Sequence, residues 1–275
     1  MPAWVTLTAS FLYLELHLRS IRFPKPRRRR KKALELDDTL AEAHTSLALV
    51  LQFYDYDIEQ SLKEFERAIQ LNPNYATAHH WYGELLGAVG RFDEGIAELK
   101  RAQQLDPLSL IINADLGHVY TLARQYDKAI EQLRKVIEMD PRFYYAHWSL
   151  GKALQLRGRL NDGIAEYRKA VELSDDPFSL ALLGQAYARA GQREEAQKIL
   201  AQLSDTAKSR YIHPYSFALL YLALGDKEQA THELERTYRE RAGDAFMFKS
   251  DPMLDDLRGN PHLEALVQKV FAPKK

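Results

Sequence analysis

The 275-residue sequence lacks cysteine, and it also lacks the common motifs for nucleotide binding and nucleophilic catalysis. Without cysteine, the chain cannot form disulfides, thiolate metal sites or a cysteine nucleophile. It has no G-x-x-x-x-G-K or G-x-G-x-x-G loop for phosphates, and no serine in a nucleophile elbow. The stretch from His232 begins like a zinc-protease helix, but Arg236 stands where the second histidine ligand is required. These absences predict a non-enzymatic protein without a cofactor or a metal.

A hydrophobic run long enough to cross a bilayer is lacking as well. The apolar stretch of residues 3–18 is shorter than the roughly 20 residues of a membrane-spanning helix, and it contains Glu15 and His17. Its basic residues follow the apolar stretch, whereas a secretory signal carries them in front. We therefore expect a cytoplasmic protein that does not bind membranes, with residues 1–32 as a poorly ordered arm or an atypical first helix.

The formal net charge is zero, but it is unevenly distributed. Residues 1–32 contain nine Lys and Arg and one acid, Glu15, so they carry +8 and residues 33–275 carry −8. An acidic body repels phosphate backbones. Nucleic-acid binding is therefore not expected of the body, and any such affinity would have to reside in the basic arm.

The most informative feature that is present is a repeat of about 34 residues. A proline preceded by Asn or Asp recurs every 34 residues, at Pro73, Pro107 and Pro141. A small residue after an apolar one recurs in the same register at spacings of 33 to 35, at Ala48, Gly83, Gly117, Gly151, Gly184 and Ala218. Two independent markers in one register indicate a chain built from repeated structural units.

Each repeat has the pattern of two amphipathic helices. In residues 75–106, apolar residues recur at helical spacing from Ala78 to Val89, and Gly90 supplies a stop. A second helical pattern starts at Phe92 and ends before Pro107, where a helix cannot continue. Close helix crossings explain the small marker residues, because a larger side chain would push the backbones apart. The sequence predicts an all-α fold.

These motifs resemble the tetratricopeptide repeat family. The third repeat carries the family's pattern at Leu116, Gly117, Tyr120, Tyr126, Ala129, Leu133 and Pro141. Glycine replaces the second-helix alanine at Gly95 and Gly163, which departs from that pattern. The resemblance covers residues 33–242 and implies a right-handed superhelical solenoid of about six antiparallel helix pairs. Residues 243–275 would form C-terminal capping helices, with Pro252 and Pro261 at helix starts.

The C-terminal part also resembles repeat arrays of bacterial signalling proteins, such as those attached to serine/threonine kinases and winged-helix regulators. The residues that carry this resemblance are Gly225-Asp-Lys-Glu-Gln-Ala and Asp251-Pro-Met-Leu-Asp-Asp-Leu-Arg. It implies a bacterial origin and a regulatory role.

Three of the nine histidines occupy one repeat position. His44, His79 and His147 each precede a marker residue by four positions. Stacked repeats hold equivalent positions roughly 10 Å apart, which is too far to share one metal ion. We therefore interpret these histidines as helix-packing residues.

The family resemblance implies a concave groove lined by the first helix of each repeat. The ligand-facing positions, transferred by register, are Thr45, Gln52, His80, Glu84, His118, Thr121, Tyr145, Trp148, Lys152, Gln155, Gln185 and Arg189. Trp148 beside Lys152 is the predicted centre of the groove, and packing between repeats is the alternative interpretation of Trp148. As an exposed groove residue, Lys152 should tolerate alanine within about 0.5 kcal/mol of stability, and this change should weaken partner binding.

The sequence thus predicts a non-catalytic scaffold or adaptor that binds a protein or peptide partner in this groove. One alternative is an adaptor associated with nucleic acid or with a membrane through the basic arm. Another is an enzyme with an unfamiliar site in the groove, against which stands the lack of a nucleophile and a base in plausible register.

Overall fold

The computed structural model of the protein describes residues 38–272, and the predicted basic arm, residues 1–32, lies outside them. Within the described range every regular element is a helix, which confirms the predicted all-α class. None of the helices in this range is both long and apolar enough to span a membrane.

Twelve helices form six consecutive pairs, in agreement with the predicted solenoid. The pairs are α1 (Ala41–Val50) with α2 (Ile58–Leu71), α3 (Ala76–Ala88) with α4 (Phe92–Leu105), α5 (Leu110–Leu122) with α6 (Tyr126–Met139), α7 (Tyr144–Leu156) with α8 (Leu160–Leu173), α9 (Pro177–Arg189) with α10 (Arg193–Thr206), and α11 (Pro214–Ala223) with α12 (Lys227–Arg239). The chain continues through two short 3-10 helices, Asp244–Met247 and Pro252–Leu257, to α13 (Pro261–Phe271). Pro252 and Pro261 begin helices, as predicted.

The marker glycines lie where the two helices of a pair cross. A Cβ atom on Gly83 would lie 2.8 Å from the carbonyl oxygen of Gly95, and one on Gly95 would lie 2.7 Å from that of Gly83. Such separations are shorter than carbon–oxygen contact, so neither position accepts a side chain without moving backbone. The departure from the family pattern at Gly95 therefore has a packing reason.

The histidines at the shared repeat position connect the two helices of a pair to the loop before it. Their Nδ1 atoms lie close to a glutamate of the second helix, in His44–Glu64 at 2.7 Å, His79–Glu98 at 2.5 Å and His147–Glu166 at 2.7 Å. Their Nε2 atoms bond to the carbonyl oxygens of Asp38, Pro73 and Pro141. This arrangement confirms the packing role predicted for these histidines.

The third repeat builds the same connection from neutral residues. Asn113 occupies the histidine position, and Gln132 donates from Nε2 to its Oδ1 at 3.0 Å. The amide of Asn113 also donates to the Pro107 carbonyl oxygen at 3.1 Å. The bridge therefore depends on hydrogen-bond geometry and does not require charge.

The two ends of the helix-pair array contact each other. After α1, a π-helical turn (Leu51–Asp55) leads to Tyr56, whose ring stacks on Tyr238 of α12 with centroids 5.6 Å apart. Just after α12, Arg241 donates to the carbonyl oxygen of Tyr54. The solenoid is thus curved enough to bring its first and last repeats together.

Residues 244–258, called the inner segment below, leave α12 and lie across the surface formed by the first helices of the pairs, called the inner face below. Gly243 makes the turn with φ of +90°, and the Phe53 ring lies 3.8 Å from where its Cβ would be. Phe246 then packs edge-on against Phe53, with ring centroids 5.2 Å apart. α13 contacts α12. The sequence predicted that residues 243–275 form a cap. It did not predict that the inner segment runs across the inner face.

Candidate binding surface on the inner face

The predicted groove residues lie on the first helices α1, α3, α5, α7 and α9 or on the π-helical turn after α1, and most are covered. Buried members are Thr45, Gln52, His80, Thr121, Tyr145, Trp148, Lys152 and Gln185. Partly buried members are Glu84, His118 and Gln155, and Arg189 is exposed. The hydroxyls of Thr45 and Thr121 bond to the backbone of their own helices. The structure places these residues on one face, and their role in partner binding remains a prediction.

The centre of the inner face holds a buried ion pair between the solenoid and the inner segment. Nζ of Lys152 donates to Oδ2 of Asp251 at 2.9 Å, and the hydroxyl of Tyr215 donates to the same oxygen at 2.7 Å. The backbone N–H of Met253 donates to Oδ1 at 2.9 Å. Asp251 is only 2% exposed. Its carboxylate is therefore removed from water but is satisfied by three donors.

Burial and hydrogen bonding act on this carboxyl in opposite directions. Burial raises the pKa of Asp251, but the charge of Lys152 and the donors from Met253 and Tyr215 outweigh it, so that the pKa lies below its ordinary value. Burial, with the charge of Asp251, raises the pKa of Tyr215 far above its usual range. The site therefore holds Asp251 as an anion and Tyr215 as a neutral donor.

Apolar side chains of the inner segment fill the space around this ion pair. Phe248, Met253, Leu254 and Leu257 are buried, and the Phe248 ring stacks on Tyr215 with centroids 6.2 Å apart. Burial of such side chains stabilises by about 1.5–3 kcal/mol each. Fixing the backbone of a segment costs about 1–2 kcal/mol per residue. Because these opposing terms are of similar size, the net free energy of docking is much smaller than the burial alone.

Two further ion pairs lie at the rim. Arg124 contacts Asp255 at 2.8 Å, and Arg189 contacts Asp256 at 2.7 Å. Both pairs are partly exposed, and such pairs contribute about 0–1 kcal/mol. Arg258 stabilises the conformation of the inner segment by donating to the carbonyl oxygen of Asp251 within the same segment. The rim pairs therefore set the position of the segment more than they stabilise it.

The structure corrects the expectation that Lys152 is an exposed groove residue. Its side chain is 7% exposed and is paired with a buried carboxylate. Trp148 is buried, and its ring centroid lies 4.6 Å from that of Tyr145 on the same helix and 5.3 Å from that of Phe178 in the next repeat. These contacts agree with the alternative interpretation of Trp148 as a packing residue.

The acidic partners of the inner face, Asp251, Asp255 and Asp256, were not predicted as site residues. Their motif was recognised in the sequence but was interpreted as part of a cap. The sequence did contain a signal for this contact. Three acids occur within six residues, and the register places the cations Lys152 and Arg189 on the first helices, where they could pair with these acids. Nothing in the sequence, however, indicated that the C-terminal chain turns inward.

A second polar cluster lies on the inner face between α3 and α5. Nε2 of His80 is 2.6 Å from Oδ2 of Asp115, and the hydroxyl of Tyr145 donates to Oδ1 at 2.5 Å. Oε1 of Glu84 is 3.7 Å from Nδ1 of His118. Burial and the charge of Asp115 raise the pKa of Glu84. Four of these five residues belong to the predicted groove, and Asp115 was missed because its repeat position was not assigned to the groove.

Three segments of the chain match models of the tetratricopeptide repeat. These are residues 52–109 and 179–207, described as tetratricopeptide repeat, and residues 117–158, described as TPR repeat. No curated protein is significantly similar to the chain in sequence.

Solved structures share the fold at low sequence identity. TTC0263 of Thermus thermophilus, a thermophilic TPR protein, is 22% identical over 67% of this chain and 98% of its own, with a TM-score of 0.59. PilF of Pseudomonas aeruginosa is 20% identical over 75% and 91%, with a TM-score of 0.54. The anaphase-promoting complex hetero-tetramer Cut9-Hcn1 is 14% identical over 94% and 47%, with a TM-score of 0.61. The chain is therefore similar to tetratricopeptide repeat proteins in these three segments and in its fold.

Proposed function

We propose that this chain is a non-catalytic scaffold that binds an acidic, apolar segment of a partner protein on its inner face, where the inner segment now lies. The observation that carries the proposal is the docking of residues 244–258, which combines buried apolar side chains with a buried ion pair. A surface that holds one peptide of this kind has the shape and charge to hold another.

The docked segment indicates the chemistry of the ligand. Three cations of the solenoid face its acids, with Lys152 at the buried centre and Arg124 and Arg189 at the rim. Between the acids, Met253 and Leu254 fill the apolar surface. We therefore propose a partner segment with one carboxylate for Lys152, apolar residues directly after it, and further acids for the rim arginines.

A partner of this kind has to compete with a covalently linked occupant. A segment tethered by a short linker acts at an effective concentration in the millimolar range. The apparent affinity of the partner is then reduced by the fraction of molecules whose inner face is free. We propose that this competition restricts the scaffold to partners that present several of these contacts at once.

We extend the proposal to a role in bacterial signalling and to a cytoplasmic location. The resemblance of the C-terminal sequence to repeat arrays of bacterial signalling proteins supports the former. The apolar stretch of residues 3–18, which is too short for a membrane-spanning helix, supports the latter.

The experiment uses a fluorescent peptide of residues 244–258 and the full-length chain. Asp251→Asn keeps the acceptor for the Met253 N–H but removes the charge that pairs with Lys152. It should loosen the attached segment, so the added peptide should bind this variant about tenfold or more tighter than wild type. The double variant Asp251→Asn with Lys152→Met should lose most of that gain.

Asp205→Asn is the matched control, because Asp205 is an exposed acid paired with Lys208 away from the inner face. It should bind the peptide as wild type does. If the Asp251→Asn variant has the helical circular dichroism of wild type, and is therefore folded, but does not bind the peptide, the proposal is contradicted.

A further inference from the structure

We propose that His80, Glu84, Asp115 and His118 form a binding site for one divalent transition-metal ion, with Zn²⁺ as the probe. This proposal does not rest on the proposed partner binding. His80 and Glu84 lie one turn apart on α3, and Asp115 and His118 lie one turn apart on α5. One ligand atom each of His80, Glu84 and Asp115 lie within 4.8 Å of one another.

The separations between ligand atoms can be compared with those of a tetrahedral site. Zn²⁺ binds imidazole nitrogen and carboxylate oxygen at about 2.0–2.2 Å, which places tetrahedral ligand atoms roughly 3.3–3.6 Å apart. The separation between His80 and Asp115 is 2.6 Å, and that between Glu84 and His118 is 3.7 Å. One of these two separations is shorter and the other longer than the required distance, so an ion would need the side chains to move apart at His80 and together at His118.

The composition of the cluster suits a cation. Two neutral imidazoles and two carboxylates neutralise a divalent charge, as a dry site requires. Asp115 is fully buried, and the side chains of Glu84 and His118 are each 12% exposed, which leaves an approach from the inner face. A set of two nitrogen and two oxygen ligands favours Zn²⁺ and its first-row neighbours over Mg²⁺ or Ca²⁺.

An unsatisfied ligand atom supplies a second observation. Nδ1 of His118 is shielded from solvent, and its 3.7 Å separation from Oε1 of Glu84 is longer than a hydrogen bond. In His147, by contrast, both ring nitrogens are occupied, by Glu166 and by the Pro141 carbonyl oxygen. A buried nitrogen without a partner is costly, and a metal ion would satisfy it.

The surroundings provide the support that metal ligands usually have. Tyr145 donates to Oδ1 of Asp115 and thereby directs Oδ2 towards His80. The Trp81 ring lies 4.8 Å from that of His80, and the Trp148 ring lies 6.4 Å from that of His118. Hydrogen bonds to a ligating carboxylate and an apolar shell both strengthen metal binding.

The test measures Zn²⁺ binding to the full-length protein by calorimetry and by metal analysis after gel filtration. Wild type should retain one equivalent, and Co²⁺ should give the visible absorption of a tetrahedral site. Glu84→Gln and His118→Gln, which preserve side-chain size, should each weaken binding about tenfold to a hundredfold. Bound Zn²⁺ should also raise the Tm of wild type and leave that of both variants unchanged.

The matched control is the double variant His147→Asn with Glu166→Gln, which copies the Asn113–Gln132 pair of the third repeat. It removes a buried histidine and its carboxylate but leaves the proposed ligands intact, so it should bind Zn²⁺ as wild type does. Binding that is equally weak in wild type and Glu84→Gln would show a hydrogen-bonded cluster without a metal. Equal loss of binding in the control would assign the metal to scattered histidines. Either result overturns the proposal.

Discussion

Nζ of Lys152 lies 2.9 Å from Oδ2 of Asp251, a residue 99 positions later in the chain, and both side chains are buried. This contact joins the fourth helix pair to a segment that follows the sixth. It shows that the C-terminal chain belongs to the core of the inner face. The consequences for stability, for pH dependence and for packing can each be measured.

The Lys152–Asp251 pair should be important for stability. We expect Lys152→Ala to destabilise the protein by about 3 kcal/mol or more, because it leaves a carboxylate buried without its counter-charge. Urea unfolding at neutral pH measures the change. Arg189→Ala, at a partly exposed rim pair with Asp256, is the control and should cost about 1 kcal/mol or less. Equal costs for the two variants would contradict the central role of the buried pair.

The same pair should make docking sensitive to acid. Asp251 has a folded-state pKa below its ordinary value of 3.8, so the folded state binds this proton less readily than the unfolded state. Its stabilising contribution is therefore complete above that ordinary pKa and is lost as the pH falls below it. We expect the stability difference between wild type and Asp251→Asn to shrink below about pH 4. A difference that stays constant down to about pH 2 would argue against this linkage.

The His147 bridge should have the opposite pH dependence. Both partners of His147, the Glu166 carboxylate and the Pro141 carbonyl oxygen, accept hydrogen bonds, and the bond to Glu166 chiefly raises the pKa of His147 above its ordinary value of 6.5. The contribution is complete below pH 6.5 and is lost as the pH rises through the folded-state pKa. Wild type should lose stability relative to His147→Asn with Glu166→Gln between about pH 6 and 8.

Chemical unfolding at a series of pH values tests this expectation. The single variant His147→Asn serves as the comparison, because it leaves Glu166 without its cation and should be less stable than the double variant. A flat difference between wild type and the double variant across this range would contradict the raised pKa.

The crossing of α3 and α4 should reject even a methyl group. A Cβ atom on Gly95 would lie 2.7 Å from the Gly83 carbonyl oxygen and 2.9 Å from the backbone nitrogen of Gly87. We expect Gly95→Ala to destabilise by about 1–3 kcal/mol through overpacking, although alanine has the better helix propensity by about 1 kcal/mol. Thermal unfolding measures the change. The matched control, Ala129→Gly at the equivalent position of the next repeat, should cost about 1 kcal/mol. A gain in stability for Gly95→Ala would place the crossing elsewhere.

The sequence was sufficient to predict the helices and their pairing, because both depend on local patterns of residues. Apolar residues at helical spacing define each helix, and Gly83 and its equivalents mark each crossing. The packing role of His147 could also be predicted, since residues at one repeat position have equivalent surroundings in neighbouring repeats. For the same reason, the register brought His80, Glu84 and His118 to one face.

The repeat spacing excludes a shared metal ion only for histidines at the same repeat position, such as His79 and His147, because stacking holds equivalent positions apart. It does not separate residues at neighbouring positions of adjacent first helices. His80 and Asp115 occupy such positions, and their side chains meet at 2.6 Å. The side chains are long enough to meet between adjacent helices, and the repeat spacing alone does not predict this contact.

The amino-acid sequence by itself determined the fold of this protein: a 34-residue period, two helices in each unit, and small residues where they cross. The tertiary structure alone decided what lies on the inner face. The curvature of the solenoid is the sum of small rotations between successive helix pairs, and it brings Tyr238 onto Tyr56 and Asp251 onto Lys152. No local pattern records that sum, so the motif from Asp251 to Arg258 could be recognised in the sequence but its place in the fold could not.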